Sequence, residues 1–202
     1  MKLAARLALF VAIGAVLIVA AHLVDRWAYD HVVYEQVYQH DWGRMFRIAG
    51  YLPTWLLVGA AILLLAWPRV AVEGAQRALA QAYLLVLSAT AGGALAEVVK
   101  LLVRRVRPEV HQGAYGYRPW SVDPLRTGGL AMPSSHVLVA FAAAFMLVRL
   151  YPRAAPVWLI IGVGCALTRV LPQDHFVSDV TVAAVLGYAV AWGVAALAPK
   201  HV

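Results

Sequence analysis

Six long apolar blocks leave this chain few ways to fold. They run near residues 5–24, 48–67, 78–102, 134–151, 155–171 and 176–197. A bilayer-spanning helix needs about 20 mostly apolar residues. Each block meets or approaches that length, the fourth and fifth being short. Of the 202 residues, 63% are hydrophobic and 13% charged, against roughly half and a quarter in a soluble domain. The fold expected is therefore all-α. It is one integral-membrane domain over residues 1–202, a bundle of six transmembrane helices with an interfacial helix or loop after the first. No sizeable soluble domain fits beside it. The first block, Leu7 to Val24, is long for a signal peptide and a poor cleavage site follows it, so it reads as a retained helix. Cys165 is the single cysteine, which rules out an intrachain disulfide.

Two polar stretches interrupt the blocks. In Asp25 to Arg47, the residues Tyr34, Tyr38 and Trp42 recur every four positions. That spacing predicts an aromatic stripe on an interfacial helix, either a plain membrane belt or a lid over a lipid-access surface. Residues 104–131 form the longest non-apolar stretch and include Tyr115, Tyr117 and Trp120. Loops of that length are usually functional or disordered. Residues 68–77 read as a short turn between helices.

The formal charge of +7 clusters near helix ends. Such patches suit anionic headgroups or phosphate rather than nucleic acid. With the N-terminus inside, the inner side receives Lys2, Arg6, Arg69, Arg77, Arg149, Arg153 and Lys200 against Glu73. The outer side receives ten basic residues, so the raw count points the other way. Most of those ten lie in the candidate site stretches or are offset by Asp25, Asp30, Glu35 and Asp41. The short loops and the first helix carry most weight in the positive-inside rule. Both termini are therefore expected on the cytoplasmic side. The small size, and the lack of a targeting segment, suit a bacterial inner membrane.

By helix parity three polar stretches then meet on the outer face. The first, KLLVRRVRP, ends the third helix. Lys100, Arg104 and Arg107 share one face if the helix persists that far, although Pro108 disfavours helix at Arg107. Arg104 and Arg105 read as dipole partners or positive flanks. Lys100 lies inside an apolar block, where charge is costly and usually functional, with Glu97 as a possible structural partner. The second, PSSH, opens the fourth helix. Its free N–H groups and the hydroxyls of Ser134 and Ser135 could bind phosphate oxygens, or one serine could simply cap the helix. The third, TRVLPQDHFVSD, carries Arg169, His175 and Asp179. Asp179, four residues on, can hold one nitrogen of His175 and leave the other free to attack or to move a proton. A metal site from His136, His175, Asp174 and Asp179 is a further option. The surrounding cations favour a phosphate over a divalent ion there. A transporter's proton relay would need ionisable groups at mid-membrane rather than at helix ends.

Together the three stretches resemble the type-2 phosphatidic acid phosphatase superfamily. The family pattern is K-x6-R-P, then P-S-G-H, then S-R-x5-H-x3-D. Lys100, Arg107 and Pro108 match the first motif; Pro133, Ser134 and His136 match the second; Arg169, His175 and Asp179 match the third. Ser135 stands where the family has glycine, and Thr168 where it has serine. The likeness covers nearly the whole chain. It implies that His175 is a nucleophile forming a phosphohistidine and that Asp179 orients it. It implies that His136 protonates the leaving alcohol and then activates water. Lys100, Arg107, Ser134, Arg169 and the N–H groups near Ser135 would hold the phosphate oxygens. No metal or other cofactor is implied, and no catalytic role for Arg104 or Arg105.

The activity so implied is hydrolysis of a lipid phosphate monoester or diphosphate at the outer leaflet. Undecaprenyl diphosphate, phosphatidic acid, phosphatidylglycerol phosphate and a lipid A phosphate are the substrate types in view. The partners are that lipid and the bilayer. A phosphotransferase would pass the phosphate to a lipid hydroxyl instead of water. Vanadium haloperoxidases share the site residues but are soluble and much larger. A lipid-binding or transport protein would not need the set His136, His175 and Asp179.

Overall fold

A computed structural model describes residues 3–66 and 74–197. These residues form helices, turns and loops with no strands among them, only two isolated bridges, Arg105 with Tyr117 and Val106 with Leu130. Helix α1 spans Leu3–His31. A 3-10 turn, Glu35–Gln39, leads into the short helix α2, Asp41–Ile48, and then α3, Leu52–Ala66. Helix α4 runs Gly74–Val103, α5 Ser135–Leu150, α6 Ala155–Val170 and α7 Val177–Ala196. Every apolar block of the sequence coincides with a helix. Residues 67–73, most of the turn expected at 68–77, lie outside the described residues.

Length separates these helices. The stretches Leu3–His31, Gln76–Val103, Pro152–Val170 and Val177–Ala196 are long and apolar enough to cross a membrane. Helices α2 and α3, bent by 72° at their break, make a fifth crossing if taken as one. Helix α5 has 16 residues and is about 24 Å long, short of the ~30 Å hydrocarbon core. By length, then, the described residues hold four or five crossings where six were expected.

The shortness of α5 follows from its place. Residues Val137 to Ala144, with Met146 and Leu147, are all buried, because α4, α6 and α7 pack around it. A helix apolar on every side belongs in a core. Enclosed by protein, it has no need to match lipid thickness. Ala142 lets Gly92 of α4 and Gly187 of α7 approach closely, and Ala140 and Ala143 belong to the main hydrophobic cluster. Helix α1 packs chiefly on α7 and exposes Val11, Val16, Val19 and Leu23, a surface suited to lipid.

The expected aromatic stripe does not form. Residues 35–39 are a 3-10 turn with three residues per turn, and His40 is extended before α2 begins. Positions four apart therefore do not share a face. Tyr34 and Trp42 stack with centroids 6.3 Å apart, while Tyr38 turns inward. One side chain makes several hydrogen bonds to the loop after α4. Arg104 ends α4 with a positive φ of 57°. Its buried guanidinium donates to the carbonyls of Arg118, Pro119, Val122 and Pro124 and stacks on Trp120 at 4.7 Å. It is a loop organiser rather than a solvated flank.

Candidate active site

The chain reversals at one end of the bundle bring the three motif stretches together. Helix α4 stops at Val103, so Lys100 and Arg107 do not share a helical face. Arg107 is extended (φ −66°, ψ 153°) ahead of Pro108, which frees its side chain from the α4 axis. Lys100 stays on the helix, with Nζ 3.6 Å from Glu97 Oε1. Arg107 Nη1 donates to Asp174 Oδ1 at 2.8 Å.

Helix α5 opens directly into this cluster. Ser134 sits at the N-cap position but makes no side-chain cap bond, and its buried Oγ has no partner. Ser135 is the first helical residue, so the serine in the family's glycine position needs no left-handed backbone. Its Oγ donates to Glu97 Oε1 at 2.7 Å, leaving the backbone N–H as its contribution to an anion. His136 follows with Nε2 buried and unpartnered. Gly50, in the bend between α2 and α3, backs that imidazole. A Cβ at residue 50 would lie 2.5 Å from the His136 Cβ, a collision, so only glycine fits. Tyr51 packs its ring edge-on to His136 at 4.9 Å.

The third stretch forms the turn from α6 to α7. Arg169 is buried in the last turn of α6, donates to the Tyr38 hydroxyl at 2.6 Å and forms an ion pair with Asp174 Oδ2 at 3.0 Å. His175 precedes α7 rather than lying on it. Its Nδ1 is 3.7 Å from Asp179 Oδ2, facing it beyond hydrogen-bond length. Asp179, in the first turn of α7, accepts from the Phe176 N–H at 2.8 Å, one half of a capping box. Burial holds the His175 imidazole below the usual histidine pKa, against the pull of Asp179. The ring is therefore neutral at pH 7. With Nδ1 turned to Asp179, Nε2 is the nitrogen left to act.

Four supporting residues lie outside the set that the family resemblance implies, Asp174 entering the sequence reading only as a metal ligand. Arg105 is fully buried and pairs with Asp179. It also donates to Ser178 Oγ at 2.8 Å and lies 4.9 Å from the rings of both Tyr115 and Phe176. The expectation of a positive flank fails for it because the chain turns at Arg104 and drives the next side chain inward. Asp25, from α1, accepts from the Ser178 N–H at 2.8 Å and from Tyr115 at 2.7 Å. Burial and that carboxylate raise the Tyr115 hydroxyl above the usual tyrosine value, so it keeps its proton and donates. Tyr38 donates to the Thr168 carbonyl at 2.6 Å. Burial pushes its hydroxyl up to about 12, with the charges of Arg169 and Arg47 opposing. Asp174 bridges Arg107 and Arg169 through one nitrogen of each, while both Nε atoms remain buried without partners. A single sequence held only one such hint, the placing of Asp174 beside His175.

The carboxylates Asp174 and Asp179 thus each face guanidinium groups. Among the described residues, three or more His, Cys, Asp or Glu side chains nowhere gather as metal ligands. The polar atoms of Ser134, His136, Arg107 and Arg169 that lack partners comprise a hydroxyl, an imidazole nitrogen and two guanidinium N–H groups. That set can bind an oxyanion and exchange a proton with it.

The bundle is similar to the crystal structure of the first transmembrane PAP2 type phosphatidylglycerolphosphate phosphatase from Bacillus subtilis, with a TM-score of 0.63. That likeness covers 94% of each chain at 20% identity. None of the curated proteins matches the chain. A model of the PAP2 superfamily matches residues 81–202, the segment that holds all three motif stretches. The chain, an integral membrane protein by its spanning helices, belongs to the PAP2 superfamily.

Proposed function

We propose that this protein is a lipid phosphatase that hydrolyses a lipid phosphate monoester or diphosphate through a phosphohistidine, without a metal. The observation that carries the proposal is the neutral, buried His175 beside Asp179, in the same cluster of helix ends as the unpartnered polar atoms of Ser134, His136, Arg107 and Arg169. His175 Nε2 attacks phosphorus, and an N–P bond forms as the bond to the leaving oxygen breaks. His136, which takes up a proton as the phosphate anion offsets the cations around it, gives that oxygen its proton. His136 then takes a proton from water, the hydroxide attacks phosphorus, and the N–P bond breaks to release orthophosphate. Lys100, Arg107, Arg169, Ser134 and the N–H of Ser135 hold the equatorial oxygens as charge builds. The carboxylates that could ligate a metal are committed to Arg105, Arg107 and Arg169, which supports a cation set made of side chains alone. Six crossings, with both termini cytoplasmic and the site at the outer face of a bacterial inner membrane, complete the proposal.

Phosphate release by the detergent-purified protein from a panel of lipid monophosphates and diphosphates, with and without EDTA, tests this reading. Release should survive EDTA, and His175→Ala should reduce it by at least about 10³-fold while the protein stays folded. EDTA-sensitive release would restore the metal reading, and an unchanged His175→Ala rate would remove the nucleophile assignment. Release that appears only on addition of an acceptor lipid would mark a phosphotransferase.

A further inference from the structure

Arg47 lies in the last turn of α2, outside every motif stretch, yet sits against the candidate site. Its guanidinium stacks 4.4 Å from the Tyr38 ring and 5.9 Å from the Tyr51 ring. Tyr38 touches Arg169 through its hydroxyl, and Tyr51 packs on His136. Arg47 is thus placed between the phosphate-binding arginine and the imidazole that serves the leaving group. Two features hold it there. Phe46 seats against Gly164 of α6, where a Cβ would lie 2.2 Å from the ring. Gly50, three residues on, presses its backbone on His136.

The other arginines of the site have carboxylate partners: Arg105 has Asp179, while Arg107 and Arg169 share Asp174. Arg47 is in none of the ion pairs among the described residues. Its Nε is buried without a hydrogen-bond partner. A buried guanidinium N–H costs free energy unless it meets an acceptor. The ionisable groups close enough to act on the His136 ring include Arg47 beside Arg169, His175 and Lys100.

The two substrate types differ on this side of the reacting phosphorus. A monoester leaves as an alcohol and presents no anion there. A diphosphate leaves as a lipid phosphate that carries charge. We propose that Arg47 forms a second phosphate subsite, which holds the leaving phosphate of a lipid diphosphate and makes this chain favour diphosphates over monoesters. This inference rests on the phosphatase reading above.

The test is the ratio of kcat/KM on matched pairs: farnesyl diphosphate against farnesyl monophosphate, and diacylglycerol pyrophosphate against phosphatidic acid. A charge-assisted hydrogen bond lost from the subsite should lower the diphosphate-to-monophosphate ratio of Arg47→Gln about 30-fold. Arg47→Lys, which keeps the charge but not the planar fork, should fall between. In the unmutated protein, inorganic pyrophosphate should compete at least about tenfold more tightly than orthophosphate, a readout that needs no variant. An unchanged ratio in Arg47→Gln, or equal competition by the two anions, overturns the subsite while leaving a phosphatase. No release from any of the four lipids by the unmutated protein overturns the phosphatase reading, and the subsite with it.

Discussion

Arg105 shows how much one side chain outside the motifs can carry. It neutralises Asp179 in a site where both groups are essentially solvent-free, and the Phe176 N–H is the other donor to that carboxylate. Breaking a buried pair by removing one partner strands the other charge, at about 3–5 kcal/mol. Arg105→Met keeps the volume between the Tyr115 and Phe176 rings and removes the charge. It should lower the stability of the purified protein by roughly that amount, read from denaturant or thermal unfolding in detergent. The double variant Arg105→Met with Asp179→Asn should recover part of the loss, because no buried charge is then left alone. A single variant as stable as the parent would mean that Asp179 does not depend on Arg105.

At the scale of elements, the site is a set of helix ends brought to one level by turns. Residue spacing made much of that legible. The apolar blocks carried the helices, and the resemblance to the family's three motifs singled out Lys100, Arg107, Ser134, Ser135, His136, Arg169, His175 and Asp179. Tyr38 and Arg105 were not legible, because their roles are set by partners 131 and 74 residues away and no local period marks them. The even spacing of Tyr34, Tyr38 and Trp42 misled for a related reason: it assumes one continuous helix, and the chain is extended at His40. The α2–α3 bend has its own consequence. Gly50→Ala places a methyl within 2.5 Å of the His136 Cβ, and relief must come from moving the imidazole or the bend. Turnover of an alkyl lipid phosphate should fall at least about tenfold, since a small misplacement of a catalytic group costs that much or more. An aryl phosphate, whose leaving group needs no proton, should recover most of the loss. Equal losses on both esters would show that the bend positions something other than the acid.

At the scale of the whole molecule, the ends of the bundle divide the labour. Helices α1, α4 and α6 end at the site level and α3, α5 and α7 begin there, so motif residues separated by up to 79 positions share one end of the bundle. Which membrane surface that end meets decides the substrate pool, because the headgroups of the two leaflets are reached from different compartments. Flanking charge favours the outer face only after the site arginines are set aside, so the orientation calls for a direct measurement. Cys165 is buried, and a thiol reagent should find little background. Leu125, 81% exposed in the α4–α5 loop, reports on the site end. Arg153, exposed in the turn between α5 and α6, reports on the opposite end. In spheroplasts an impermeant maleimide should label Leu125→Cys at once and Arg153→Cys only after the membrane is opened. The reverse pattern would place His136 and His175 at the cytoplasmic leaflet. The positive-inside weighting would then have to count Lys100, Arg107 and Arg169 as topology signals as well as ligands for phosphate.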